Sequence, residues 1–243
     1  MIRISFFILF LTVFVFHFSG SSQTITNSKK FSLGILFSPD YNYRYLHLEN
    51  DEINLVQLRN DLESARLGFS AGVVVRYQFK KQLAFESGIR LFDKGFKYEL
   101  SKEWVSADGT YIEDDPANPE ELKSEDHLYY LGIPVKLNYY FLQRKISLFI
   151  SGGFSTDFFL SGKTKLVMYF EDRTETQKYD QDEDFNNVNF TGLVGFGLEA
   201  NVFHRLQLRV EPIFRYSFIP VVNAPMKGHL YSFGANIVLF RNF

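Results

Sequence analysis

Apolar and polar residues alternate with a period of two through eight stretches of this chain, over 31–38, 67–77, 83–91, 131–141, 146–157, 190–202, 206–216 and 231–239. Alternation at that period puts successive side chains on opposite faces of a strand. An amphipathic helix would repeat its apolar residues every three or four positions instead. The second stretch shows the pattern plainly, with Leu67, Phe69, Ala71, Val73, Val75 and Tyr77 on one face and Gly68, Ser70, Gly72 and Arg76 on the other. Crossing a bilayer takes about 9–11 residues per strand, which these stretches supply. No apolar run after the N-terminal one approaches the roughly 20 residues of a spanning helix.

The same alternation would describe a soluble barrel or sandwich with its apolar face turned inward, as in a lipocalin, so the polar face has to separate the two. That face is rich in Gly and Ser and carries both signs of charge, whereas a solvated face is more often dominated by Lys, Glu and Thr. An eight-stranded barrel is just wide enough for side chains to fill, and charges placed there need partners. Glu86, Asp157, Glu199 and Glu211 can be balanced by Arg76, Arg90, Lys136, Arg209 and Arg215. The pattern therefore predicts an all-β fold, an eight-stranded antiparallel up-and-down transmembrane β-barrel. Those nine residues form its interior charge network and the apolar face meets lipid. An even strand number suits a bacterial single-chain barrel.

The two ends of the chain point the same way. Met1-Ile2-Arg3 carries one positive charge and leads into an apolar run over 6–18, followed by Gly20-Ser21-Ser22 before Gln23. That is the layout of a cleaved secretory signal peptide, giving 1–22 as signal and 23–243 as the barrel domain. With no cysteine in the chain, a lipidated N-terminal Cys, disulfides, thiolate metal sites and thiol catalysis are all excluded, so the fold itself must hold the mature chain in a membrane. The last stretch presents Phe233, Ile237 and Leu239 on its apolar face and finishes at Phe243, an expected C-terminal insertion signal for the barrel-insertion machinery. An outer-membrane location follows.

Connections alternate between tight turns near Lys80-Lys81, Arg144-Lys145 and His204-Arg205 and long loops over 49–65, 101–126, 171–188 and, more briefly, 220–228. Outer-membrane barrels have short periplasmic turns and longer external loops, which puts both termini in the periplasm. The three longest loops hold 21 of the 28 acidic residues and 5 of the 26 basic ones, so the net charge of −2 conceals acidic loops over a basic barrel body. Such a field disfavours anionic ligands and attracts cations or basic partners. It is equally the mark of loops that are merely solvated.

Pro134 and Pro212 fall inside strands, where a ladder donor is lost, and local bulges are expected at both. Tyr129, Tyr139, Tyr140, Phe158, Phe159 and Tyr216 read as interfacial girdles. A search for chemistry returns little. Asp180-Gln181-Asp182-Glu183-Asp184 imitates the start of a calcium loop, but Phe185 stands where the turn needs Gly and Thr191 where the bidentate Glu belongs. The five histidines lack metal-ligand spacing. His229 and Ser232, three apart on one strand, point to opposite faces, and Asp157 with Ser155 is an equally thin pair. The expectation is a protein that is not an enzyme, with no cofactor and no metal.

The segments KFSLGILFSPDYNYRYL from Lys30, FESGIRLFDKGFKY from Phe85, YLGIPVKLNYYF from Tyr130 and SGGFSTDFFLSGK from Ser151 resemble the PorT-like outer-membrane β-barrel proteins of Bacteroidota. The resemblance covers essentially the whole mature chain, and the Tyr130 block is its most specific part. It implies location and fold. The family is named after a member needed for protein secretion, while most members have no assigned activity. The function expected is that of a structural or interaction component of the cell envelope, in contact with outer-membrane lipid and with an envelope protein partner, and not with nucleic acid. A small-ligand, lipid-binding or lipid-modifying barrel is the alternative.

Overall fold

The computed structural model describes residues 30–48, 63–101, 119, 121–180, 185–203, 205–221 and 226–243. The expected signal peptide at 1–22 lies outside these residues, as do 49–62, 102–118 and 181–184 of the long connections. The described residues form ten strands and no helix: β1 (Phe31–Leu48), β2 (Glu63–Ser64), β3 (Arg66–Lys80), β4 (Leu83–Ser101), β5 (Glu121–Gln143), β6 (Ile146–Tyr169), β7 (Thr174–Asp180), β8 (Val188–Phe203), β9 (Leu206–Ser217) and β10 (Met226–Asn242). Eight of them close into a ring of antiparallel neighbours in the order β1, β3, β4, β5, β6, β8, β9, β10. The first and last strands close it, in register from Ser32 opposite Asn242 to Leu48 opposite Met226.

Closure satisfies every ladder within the ring, and the period-two pattern then decides what faces lipid and what faces inward. Ile35, Leu67, Phe196 and Val194 stand outward, with Val194 65% exposed. Their strand neighbours, among them Arg76, Glu199 and Val74, are buried inside. Phe240 packs into the interior with Leu36, Val74 and Val238. Its ring lies across Gly34, where a Cβ would come within 2.8 Å of it, so that crossing requires glycine.

The tight turns fall at 81–82, at 144–145 and in the short connection between Phe203 and Leu206, all at one end of the barrel. At the other end β4, β5 and β6, of 19, 23 and 24 residues, outrun the bilayer and project beyond it. Part of what the sequence suggested as long loops is therefore strand. Residues 121–126 belong to β5, and β7 pairs with the far half of β6 from Lys163↔Asp180 to Tyr169↔Thr174. Loop composition, polar and acidic, masked these hairpins: β7 is exposed on both faces, and the buried face of 121–126 carries the polar Ser124 and Asp126, so neither shows an apolar alternation to read.

The bulges expected at the prolines do not occur. Register shifts fall between Gln78 and Lys80, Tyr129 and Tyr130, Tyr140 and Leu142, and Asn201 and Phe203. Pro134 stays in register opposite Ser155 of β6, and Pro212 opposite Ala235 of β10. Each proline turns the side that lacks an N–H toward its other neighbour, where pairing simply skips two positions and resumes in the same register. Beside Pro134, the Ser87 hydroxyl donates to the proline carbonyl at 2.8 Å.

Two of the six aromatics read as girdle residues also face inward. Tyr140 is buried against Phe149, and Phe159 packs on the cluster of Phe92, Phe96, Leu128, Tyr130, Val221 and Leu230 that fills the long-loop end of the interior. Each directly follows an outward aromatic, so alternation alone sends it inside.

Candidate functional site

The polar faces of the strands meet in a single ionic core between the inward apolar clusters. Toward the short-turn end, Arg209 of β9 donates from Nε and Nη2 to Glu199 of β8 at 3.0 and 2.9 Å, and from Nη1 to Glu86 of β4. Arg76 of β3 reaches the same Glu199 oxygen at 2.5 Å. Both guanidiniums also donate to the Tyr140 hydroxyl, at 2.8 Å from Arg209 and 3.1 Å from Arg76, which satisfies the phenol that the alternation turns inward. Arg209 lies over the rings of Phe149 and Phe240 at 4.5 and 4.8 Å, so its flat faces are covered as well as its edges.

In the middle, Lys136 of β5 bridges two carboxylates, at 3.1 Å from Glu86 and 2.8 Å from Glu211. Ser151 and the Asn236 amide donate to Glu211 at 2.5 and 2.8 Å, and the Asn138 amide donates to Glu86 at 3.0 Å. Arg90 is the least satisfied member. Among the described residues its nearest carboxylate contact is 3.8 Å, to Glu86, its one hydrogen bond is a long 3.5 Å one to Asn236, and its Nε and Nη2 have no acceptor. Arg90→Met is accordingly expected to be neutral or to stabilise by about 1 kcal/mol, since burying a poorly paired ion is often worse than burying an apolar side chain. A urea titration of the folded barrel showing a loss of several kcal/mol would overturn this.

Toward the long-loop end the pairing differs from the one the sequence suggested. Asp157 is held by Lys94 of β4 at 2.7 Å, with Ser155 and Thr191 donating to it at 2.5 and 2.7 Å. Arg215 is held by Asp40 of β1 at 2.7 Å. Lys94 and Asp40 were missed, although strand parity was available to find them. Asp40 continues the inward series two residues past Ser38, and Lys94 four past Arg90. Both lie just beyond where the apolar alternation fades.

Above this core, Arg66 grips Asp93 with two bonds of 2.9 and 2.7 Å and Glu125 with one of 3.0 Å, and it also contacts His127. Further out, burial pushes the Asp126 carboxyl above its ordinary range, although Thr164 donates to it.

The arrangement fills space and neutralises charge. Between Asn42, Lys94, Arg215, Ser217, Leu230, Tyr231 and Ser232 there remains a cavity of about 10 Å³, space for about one water. His229 stacks on Tyr216 and donates from Nδ1 to the Ser217 carbonyl at 3.0 Å, while Ser232 is buried inside. The two do not meet. Ser155 does meet Asp157, but three donors already occupy that carboxylate and no histidine joins them. Among the described residues no group of His, Asp and Glu has the makings of a metal site, and 181–184 of the acidic run lie outside them. Of the terminal residues, Phe233, Ile237 and Leu239 face outward on β10, and exposed Phe243 is tied to β1 by its N–H, which donates to the Phe31 carbonyl at 3.0 Å.

Solved structures similar to the chain include Neisserial surface protein A, at 12% identity and a TM-score of 0.42, covering 88% of this chain and 97% of that one. The attachment invasion locus protein Ail of Yersinia pestis has 12% identity and a TM-score of 0.36, with 87% and 99% covered. The outer membrane protease OmpT of Escherichia coli has 8% identity and a TM-score of 0.45, with 91% and 99% covered. No curated protein sequence matches the chain. The family described as outer membrane protein beta-barrel domain matches residues 16–223, most of the chain, and in keeping with its closed eight-stranded ring the chain belongs to that family.

Proposed function

We propose that the chain is a non-enzymatic, structural or interaction component of the cell envelope, with both termini in the periplasm and its projecting sheet outside. The observation that carries this reading is the filled interior. Arg209, Lys136, Glu211 and Asp157 are essentially inaccessible, and the pairs Arg209 with Glu86 and Glu199, Lys136 with Glu211, and Lys94 with Asp157 reach across the lumen, which among the described residues leaves neither a water-filled path nor a substrate cleft there. The orientation is supported by the short turns gathered at the end that carries both termini. The N-terminal 1–22 acts as a cleaved signal peptide, and Phe233, Ile237, Leu239 and Phe243 serve as the signal read by the insertion machinery. The PorT-like resemblance supports a place among secretion or envelope-assembly proteins.

Two experiments test the reading. Planar-bilayer recordings are expected to show no large, stable conductance, because an eight-stranded barrel filled by its own side chains has no pore. A steady open level would overturn the plugged interior. Purification of the tagged protein from native outer membrane in mild detergent, with mass spectrometry of proteins and lipids, is expected to recover a stoichiometric envelope protein. A lone barrel carrying a defined small ligand or lipid in its interior would favour the lipid-modifying or ligand-binding alternative.

A further inference from the structure

The outer face of the projecting sheet departs from the acidic character of the connections at one level, just past the lipid-facing band. Along β6, Ile150, Phe154 and Phe158 face outward, and Ser151, Ser155 and Asp157 face inward. By that alternation Lys163 and Lys165 would point into the barrel. The register shift opposite Tyr129 and Tyr130 leaves Leu160 as an extra residue and reverses the alternation beyond it. Lys163 then stands opposite His127 and Lys165 opposite Glu125, on the face that carries Tyr129, while Thr164 turns inward to Asp126.

On the far side of β6, Lys178 of β7 lies directly across from Lys165. Like charges opposite one another on antiparallel strands destabilise the pair. Among the described residues no acid pairs with either lysine. Glu125, the acid in the same row, is already bound by Arg66 at 3.0 Å, and Lys97 at the end of the row makes only a loose 3.6 Å contact with Glu99. Asp180, across from Lys163, is the one acid of β7 on this face. All three lysines are exposed, and among the described residues none of the three has an ion-pair partner.

We propose that Lys163, Lys165 and Lys178 bind the phosphate groups of phosphorylated lipids in the leaflet bordering the long-loop end. The position selects the occupant. Lys163 is three residues, about 10 Å of tilted strand, beyond the lipid-facing Leu160. That places the ammonium groups in the headgroup layer, where a phosphate meets them from the side and a soluble partner is kept off by the bilayer. The bulge at Leu160 serves to aim the two β6 lysines at that layer. The proposal rests on the lipid-facing assignment of the outer surface and does not depend on which leaflet the long-loop end meets.

The test is titration of bisphosphorylated lipid A, and of its dephosphorylated form, into the full mature protein folded in zwitterionic micelles, read by native mass spectrometry. The wild type is expected to retain the bisphosphorylated lipid preferentially. The triple variant Lys163→Gln, Lys165→Gln, Lys178→Gln is expected to lose that preference, weakening retention on the order of 100-fold, since each lysine near an anionic surface contributes roughly fivefold. Lys80→Gln with Lys81→Gln, at the opposite end, leaves it unchanged. Equal retention of both lipids by the wild type, full affinity in the triple variant, or displacement by inorganic phosphate at comparable concentration would each overturn the assignment. A wild type that enters no micelle overturns the lipid-facing surface along with it, whereas one that folds there without phosphate preference overturns this proposal alone.

Discussion

Arg209→Met is expected to cost the folded barrel about 3–5 kcal/mol, the penalty for leaving a buried carboxylate without its partner. The guanidinium is inaccessible and donates to both Glu86 and Glu199, two carboxylates from strands on opposite sides of the ring. Methionine would fill much of the same space against Phe149 and Phe240, so the measured loss reports charge more than packing. Glu199 would keep Arg76 and Glu86 would keep Lys136, which sets the loss below that of an isolated buried ion. Adding Glu199→Gln should recover part of it, and a denaturant-titration cycle over the four proteins measures the coupling. A single-variant loss below about 1 kcal/mol would mean that water solvates this part of the lumen.

On the outer surface, Val194→Arg is expected to cost about 2–4 kcal/mol if the residue sits near the bilayer midplane. Val194 lies mid-strand on β8, opposite Gly152 and Phe214 and far from both rims. The check is a reversible folding titration into lipid vesicles, with Val194→Ala as the control for lost side-chain volume. A harmless arginine would mean that the apolar face does not meet lipid. The two substitutions act by opposite routes, one stranding anions inside and the other forcing a cation into hydrocarbon.

Most of the fold was legible because a barrel separates two solvents, lipid and a polar lumen, on alternate residues of every strand. Leu67 to Tyr77 and Leu131 to Phe141 were readable for that reason. Legibility stops where the separation stops. In β7 both faces meet water, so Thr174–Asp180 looked like loop. At Leu160 a single extra residue inverts the pattern, which no count of apolar residues reveals without the partner strand. Strand parity suggested part of the interior charge but left out Asp40 and Lys94, and the pairing was not readable, because salt-bridge partners are fixed by the position of each strand around the ring. Asp157 meets Lys94 and not one of the five cations first considered. Pro134 and Pro212 misled because the expectation of a bulge ignored which neighbour the missing N–H faces.

β9 has a consequence for assembly. It carries Arg209, Glu211 and Arg215, which between them meet Glu86 and Glu199, Lys136, and Asp40. β1, β4, β5 and β8, all made before it, therefore each carry a charge whose pairing is completed only by the second-to-last strand. A half-built sheet admitted to hydrocarbon would hold Lys136 and two glutamates incompletely compensated, so insertion one hairpin at a time runs uphill until β9 docks. Neutralisation and ring closure then fall into one late, cooperative step, and until that step the chain must be kept somewhere wet.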